Sequence, residues 1–292
     1  QDKIAKCRNK SALIWESLKG KKSCDIINRI EERRMIEVAK PVGVVASIIP
    51  STNPVVTPMS NGAFALKCRN SVIFAPHPRA VKCTKLLVEM FRAELKKLGL
   101  PEDLVLGLEE VSNDLTSELM SAADMVVATG GMGMVKAAYS SGKPAIGVGQ
   151  GNVQCIIDED ADIADAVGKI IIGRAFDNGL ICLGEQTVFV PEDKEAEFVA
   201  EMKKQGGYLV EGEENVDKLR EGLFPGGGAF SRVVVGMFAD QVSDEIGLGA
   251  PKGTRVLFAK AKALGAGDVL CREKLCPVIA YMTYKTFKEG VA

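Results

Sequence analysis

Cys182 stands in Phe-Asp-Asn-Gly-Leu-Ile-Cys-Leu-Gly-Glu-Gln, residues 176–186, between a helical pattern and the apolar run 187–190. Ionised, its thiol is a strong nucleophile toward a carbonyl carbon. Gly179, just upstream, permits backbone angles that other residues avoid. A cysteine alone is more often a small packing residue. The other seven, Cys7, Cys24, Cys68, Cys83, Cys155, Cys271 and Cys276, are scattered without a C-x-x-C pair. Cys271 and Cys276 read as packing residues, because their spacing is not that of a zinc knuckle. His77, the one histidine, lies between Pro76 and Pro78 on a rigid turn. A single histidine argues against a histidine-based metal site, and a Ser-His-Asp triad would have to use it. No metal is expected.

Other segments carry weaker signals. Thr129-Gly130-Gly131-Met132-Gly133 follows a strand and opens a helix, where backbone N–H groups can approach a pyrophosphate. It lacks G-x-G-x-x-G, and a tight turn of this kind needs glycine in any case. Thr52 and Asn53, between Pro50 and Pro54, are also ordinary turn formers. Glu273 is one charge of three in Arg272-Glu273-Lys274, a pattern usual on surfaces. Arg79 reads equally as a solvated charge at a helix start. Arg174, near the nucleophile, can pair with an anionic substrate tail, although an arginine on a helix is usually a surface residue.

These residues need a scaffold. The first half alternates regularly: apolar runs at 42–49, 71–75, 104–106, 125–128 and 145–148 read as strands, and periodic stretches at 59–66, 80–98, 114–121 and 132–140 as helices. A further helix is predicted over 1–19, with Ile4, Cys7, Ile14, Trp15 and Leu18 on its apolar side and Gly20 as its stop. Each run is apolar throughout, as when helices cover both faces of a parallel sheet. Such crossovers give an open doubly wound sheet with ligands at the carboxyl ends of its strands. The residues at those ends are 50–54, 76–79, 107–109, 129–133 and 149–152. After about residue 152 the pattern changes. Strands are predicted at 153–157, 187–190, 232–237, 255–258 and 278–282, helices at 163–176 and 195–204, and loops at the glycines 206–207 and 226–228. The fold class is therefore α/β, with a doubly wound parallel sheet over 1–151 and a second α/β domain over 152–292.

Composition excludes several roles. Lys and Arg total 37 against 38 acidic residues, so the net charge of -1 gives no footprint for nucleic acid or an anionic membrane. No apolar run approaches the about 20 residues of a membrane span. Eight cysteines in a chain long enough to bury its own core suggest a reduced, cytoplasmic setting.

The ordered set of segments resembles the CoA-acylating aldehyde dehydrogenases over essentially the whole chain. Asn178-Gly179-Leu180-Ile181-Cys182 with Glu185-Gln186 is similar to that family's N-G-x-x-C-x-x-E-Q signature. Lys40-Pro41-Val42-Gly43-Val44-Val45 leading to Pro50-Ser51-Thr52-Asn53-Pro54 resembles its first cofactor-domain strand and oxyanion loop. Ala75-Pro76-His77-Pro78-Arg79-Ala80, Ala128-Thr129-Gly130-Gly131, Gly147-Val148-Gly149 before Gly151-Asn152, and Glu273-Lys274-Leu275-Cys276-Pro277-Val278 are similar to further segments in the same order. The likeness is greatest to members acting on short acidic aldehydes such as succinate semialdehyde and sulfoacetaldehyde, and to the dehydrogenase half of bifunctional aldehyde–alcohol dehydrogenases.

The resemblance implies that 1–151 is the cofactor domain and 152–292 the catalytic domain, and it implies a mechanism. Cys182 would add to the aldehyde, and the oxyanion would meet the Cys182 N–H and a side chain, Thr52 matching best and Asn53 as the alternative. Hydride transfer to NAD or NADP would leave a thioester. Cofactor contacts would come from Pro50, Ser51, His77, Pro78, Arg79, Thr129, Gly130, Gly131, Val148 and Gly149, with Glu273 on the ribose nearest the nicotinamide. His77 would lie under the adenosine, and Arg79 leaves 2′-phosphate recognition open. Hydrolytic relatives carry a glutamate base where Val148 stands, and a valine cannot activate water, so release by coenzyme A is expected. Glu185 is a second carboxylate near Cys182, a base or, better, a structural hydrogen-bonding residue. The implied partners are a small-molecule aldehyde and CoA, with homo-oligomers in the full-length protein. Family members begin before the position of Gln1 and continue past that of Ala292, so a fragment is expected. A hydrolytic or acyl-phosphate-forming relative, or a nucleotide-binding domain without activity, are the alternatives.

Overall fold

A computed structural model describes every residue from Gln1 to Ala292. An apolar strand needs partners for its backbone polar groups and cover for both faces. The chain meets these needs in two compact units, Gln1–Gln150 and Gly151–Ala292.

The first unit opens with helix α1 (Asp2–Leu18) and a hairpin of β1 (Asp25–Ile30) and β2 (Met35–Ala39). Then come β3 (Val44–Ile48), α2 (Val56–Lys67), β4 (Ser71–Ala75), α3 (Val81–Lys97) and β5 (Val105–Gly107), followed by α4 (Asn113–Ala122), β6 (Met125–Thr129), α5 (Met132–Tyr139) and β7 (Ala145–Val148). The five later strands form one sheet in the order β5-β4-β3-β6-β7, every neighbouring pair parallel. Alternate residues serve opposite faces, as strand geometry demands. Val45, Val72, Phe74 and Val105 pack with Ala65, Val88 and Leu95 of α2 and α3. Ala46, Ile48, Ala75, Val126 and Ala128 pack with Leu119, Met120 and Ala138 of α4 and α5. The sheet is doubly wound, and its strand order reverses between β3 and β6. Side chains fix the start of β3: Asn70 Oδ1 accepts from the N–H groups of Val42 and Gly43 at 2.6 and 3.1 Å, and Asp124 Oδ2 from that of Val44 at 2.8 Å.

Two features depart from the sequence reading. The antiparallel hairpin was not anticipated; its strands are short and interrupted by charges, and a register shift lies between Ile26 and Asn28. Helix α1 forms as predicted, but Ile4 and Trp15 of its apolar side face solvent, while Lys6 is its one buried residue.

The second unit contains β8 (Val153–Ile156), α6 (Ile163–Ala175), β9 (Glu185–Pro191), α7 (Glu195–Lys204), β10 (Gly207–Leu209) and α8 (Glu213–Leu223). It continues with α9 (Ala239–Ile246), β11 (Val256–Lys260), β12 (Val278–Tyr284) and α10 (Phe287–Val291). Its sheet is also parallel, in the order β10-β11-β12-β9-β8. One face packs Val188, Val190, Phe258 and Ile279 against Val167, Ile171, Phe198 and Met202 of α6 and α7. The other packs Leu257, Ala259, Val278 and Ala280 against Leu219, Leu223 and Val242 of α8 and α9. Residues 232–237, predicted as a strand, form turns instead: Gly236 takes a φ of 72° and its N–H donates to the Leu275 carbonyl at 2.8 Å. Conversely Gly207, read as loop, begins β10 and pairs with Val256 of β11. No helix is long and apolar enough to cross a membrane.

Candidate active site

In the first unit the sequence-predicted residues occupy the carboxyl-end loops of the sheet. Pro50, Ser51, Thr52 and Asn53 follow β3; Pro50 is buried, Ser51 exposed, and Thr52 and Asn53 half-buried. The Asn53 amide donates to Thr52 Oγ1 at 3.4 Å, and the Asn53 carbonyl accepts from the Thr57 N–H at 3.1 Å to start α2. After β4, His77 Nδ1 accepts from the Arg79 N–H at 3.1 Å, so the imidazole caps the short helix that contains Pro78 and Arg79. The Arg79 side chain is exposed. After β6, the Gly130 N–H donates to the Val148 carbonyl at 3.1 Å, and Gly131 caps α5 with no side chain closing the helix end. A methyl group on Gly131 or Gly133 would meet nothing within 4 Å. The first N–H groups of α5 are therefore approachable, which suits a phosphate. Val148 and Gly149, at the end of β7, are exposed. Because β3 and β6 are neighbours, the loops at Pro50–Asn53 and Thr129–Gly131 flank the reversal of strand order, the usual ligand crevice of such sheets.

The second unit gathers the thiol site. Cys182 is exposed, on a turn that leads into the amino end of β9. The turn is unusual. Asp177, Asn178 and Gly179 take φ values of 53°, 52° and 70°, a run of left-handed backbone disfavoured for ordinary L-residues by roughly 1–2 kcal/mol each. It is held by its surroundings. Asn178 Nδ2 donates to the Gly236 carbonyl at 3.0 Å, and a Cβ on Gly179 would lie 2.5 Å from the Cys276 backbone, so glycine is required twice over.

Two segments distant in sequence meet this turn. A Cβ on Gly151 would lie 2.9 Å from the Cys182 carbonyl oxygen, 3.7 Å from the Cys182 Cβ and 3.7 Å from Glu273 Oε1. The Gly151 N–H donates to Glu273 Oε1 at 3.2 Å. Burial pushes the Glu273 carboxyl above its ordinary range, while the Gly151 N–H pulls the other way. Asn152 Nδ2 donates to the Cys271 carbonyl at 2.8 Å and ties the same segments together. Gly151, Cys182 and Glu273 thus form one small surface.

Beneath it lies a polar cage that sequence reasoning missed. Arg174 is 0 % exposed; its Nη2 donates to the carbonyls of Lys274 and Cys276. It is neither a surface residue nor free to pair with a substrate tail, contrary to both sequence readings; in the last turn of α6 it faces the sheet, and burial lowers its pKa to about 10. Gln186 grips both polar groups of Lys274, its Oε1 accepting from the N–H at 2.9 Å and its Nε2 donating to the carbonyl at 3.3 Å. Lys274 is also 0 % exposed, with Nζ donating to the carbonyls of Leu270 and Arg272 at 2.5 and 2.9 Å. Desolvation lowers its pKa to about 7. Arg272 points outward and donates to the carbonyls of Gly227 and Gly228 at 2.8 and 3.0 Å. Cys276 is buried, its thiol pushed up to about 12, and Cys271 is buried as well, so both are packing residues. Glu185, expected as a base or a structural hydrogen-bonding residue, has its Oε2 buried with no hydrogen-bond partner. No cluster of His, Cys, Asp or Glu is arranged to hold a metal ion. The only sequence hint of the cage was the Glu-Gln pair that follows the cysteine.

Comparison with known proteins identifies the family. The aldehyde dehydrogenase family model matches residues 3–218. The chain is 48% identical over 291 residues to the succinate-semialdehyde dehydrogenase (acetylating) of Clostridium kluyveri, covering 100% of itself and 64% of that relative. Among solved structures, the acetylating aldehyde dehydrogenase of Geobacillus thermoglucosidasius superposes with a TM-score of 0.89 at 39% identity, over 95% of this chain and 61% of that one. A propionaldehyde dehydrogenase of Rhodopseudomonas palustris, solved with bound CoA and an acylated cysteine, superposes with a TM-score of 0.79 at 30% identity, over 86% of this chain and 57% of that one. The chain belongs to the aldehyde dehydrogenase family, and it spans less than two thirds of the length of these relatives.

Proposed function

We propose that this chain carries the thiol and nucleotide sites of a CoA-acylating aldehyde dehydrogenase, which converts aldehyde, CoA and NAD(P)+ to acyl-CoA and NAD(P)H. The observation that carries the reading is the convergence of Gly151, Cys182 and Glu273 around an exposed thiol. As thiolate, Cys182 attacks the aldehyde carbon and its electron pair forms the C–S bond, leaving an alkoxide. The Cys182 N–H is the backbone donor assigned to that oxyanion, with Thr52 as the side-chain donor and Asn53 as the alternative. The hydride that leaves this adduct is what an oxidised nicotinamide is there to accept. Cys182 then holds the acyl group as a thioester, and attack by the CoA thiolate frees the sulfur. The open N–H groups of α5 suit a pyrophosphate, and the Glu273 carboxylate suits ribose hydroxyls. His77, Pro78 and Arg79 are assigned to the adenosine end, where the exposed Arg79 admits NADP as well as NAD. Pro50, Ser51, Thr129, Gly130, Val148 and Gly149 complete the nucleotide loops. With Val148 where a hydrolytic base would stand, water is a poor acceptor.

The similarity to a succinate-semialdehyde enzyme favours a short acidic aldehyde. A reduced, cytoplasmic setting suits a free thiol nucleophile and eight unpaired cysteines. We assign homo-oligomers by the same likeness. The test is an aldehyde panel followed by reduced-cofactor absorbance, with CoA, phosphate or water as acceptor. Turnover should require CoA, and succinate semialdehyde should exceed acetaldehyde in kcat/KM. Full turnover with water alone would overturn CoA release, and a preference for acetaldehyde would overturn the acidic substrate.

A further inference from the structure

The segment 272–277 carries Glu273, and it is held from within by residues on both sides of the nucleophile turn. Arg174 precedes that turn and donates to the carbonyls of Lys274 and Cys276. Gln186 follows it and clasps the Lys274 N–H and carbonyl. Between these anchors Gly179 leaves no room for a side chain against the Cys276 backbone. Lys274 is drawn inward by the carbonyls of Leu270 and Arg272, so its neighbour Glu273 is turned toward Gly151. Every one of these hydrogen-bond partners is a backbone group, so the cage fixes chain position. Arg174 and Gln186 touch neither Cys182 nor Glu273 in these contacts.

We infer that Arg174 and Gln186 are positioning residues that set Glu273 in register with the Cys182 turn, and thereby place the nicotinamide ribose beside the sulfur. This rests on the assignment of Glu273 to that ribose. Loss of the clasp lets Glu273 drift while the thiol stays exposed, so nucleotide binding suffers and thiol reactivity does not. Misplacement of this kind, remote from the reacting atoms, has large effects on placement-dependent steps.

The test is a double-mutant cycle in the full chain, read by nucleotide Kd from reduced-nicotinamide fluorescence. Glu273→Ala and Gln186→Met should each weaken binding about tenfold, and the double variant should bind no worse than Glu273→Ala alone. Alkylation of Cys182 by iodoacetamide, followed peptide by peptide, should keep its wild-type rate in Gln186→Met, and KM for aldehyde should stay within about twofold while KM for nucleotide rises. Arg174→Lys keeps the charge and reaches at most one of the two carbonyls. It should show the same pattern at a few-fold level, and it serves if Gln186→Met folds poorly. Losses that multiply in the double variant, or wild-type binding in both Gln186→Met and Arg174→Lys, would overturn the inference while leaving the ribose role of Glu273 intact. Wild-type binding by Glu273→Ala would instead overturn the ribose assignment and this inference with it.

Discussion

In the first unit the chain enters its sheet at the centre, with β3, and builds outward; in the second it enters at an edge, with β8, and fills the centre last, with β12. Both sheets are parallel, five-stranded and covered on both faces, yet their candidate residues live in different surroundings. Those of the first unit lie on carboxyl-end loops with open glycines and few side-chain bonds. Those of the second rest on a buried cage of Arg174, Gln186 and Lys274. The contrast teaches that one architecture can present a receptive surface, where N–H groups wait for a ligand, or a clamped one, where the backbone around the site is held before anything binds.

The sharpest way to break that comparison is Cys182→Ala. Acyl transfer should fall by more than about a thousandfold with nucleotide affinity unchanged. Residual turnover near wild type would remove chemistry from the clamped unit altogether. Next in size is Gly179→Ala. The methyl group meets the Cys276 backbone at 2.5 Å on a residue with φ 70°, so a loss of about 2–4 kcal/mol is expected in urea unfolding. A neutral result would mean that the left-handed turn is not clamped.

A pH series sharpens the same point. The folded chain releases the Lys274 proton near pH 7, because burial disfavours the charge, whereas an unfolded chain holds it to about 10.5. The unfolded state therefore binds more protons in between, and stability must rise with pH above 7, by at most about 1.4 kcal/mol per pH unit. Above about pH 9 two thiols oppose the trend. Cys276 is raised to about 12 and Cys155 to about 11, mainly by burial, so unfolding releases protons that the fold retains. Lys274→Met should flatten the rise between pH 7 and 9 in the urea midpoint; an unaltered slope would refute it. The smallest effect belongs to the receptive unit. Gly131→Ala places a methyl in open space, so stability should change by less than about 1 kcal/mol while nucleotide affinity falls a few-fold.

Legibility in the sequence follows the same division. Strands β3 to β7 are continuous apolar runs, because both their faces are covered, and so they stand out. The hairpin of β1 and β2 does not: its alternation is short and Glu31–Arg34 interrupt it with charge. Residues 232–237 mislead in the opposite sense. Val233, Val234 and Met237 look like a strand, but the left-handed Gly236 turns the chain and no ladder partner stands beside it. Cys182 and Glu273 were singled out from their motifs. Beyond the Glu-Gln pair the cage left no trace in the sequence, because Arg174, Gln186 and Lys274 bond to backbone groups, which carry no residue identity for sequence to display.

The central place of β12 bears on how the molecule is made. During synthesis β3 to β7 are all available once residue 148 has emerged, so the first unit can close while the ribosome is still working. β9 and β11 must wait, with unpaired inner edges, until residues 278–284 arrive between them. Such edges are prone to wrong pairing, so the second half is the more exposed to misfolding. The segment bearing Glu273 immediately precedes β12, so in a nascent chain the Cys182 thiol emerges well before the carboxylate that is to stand beside it.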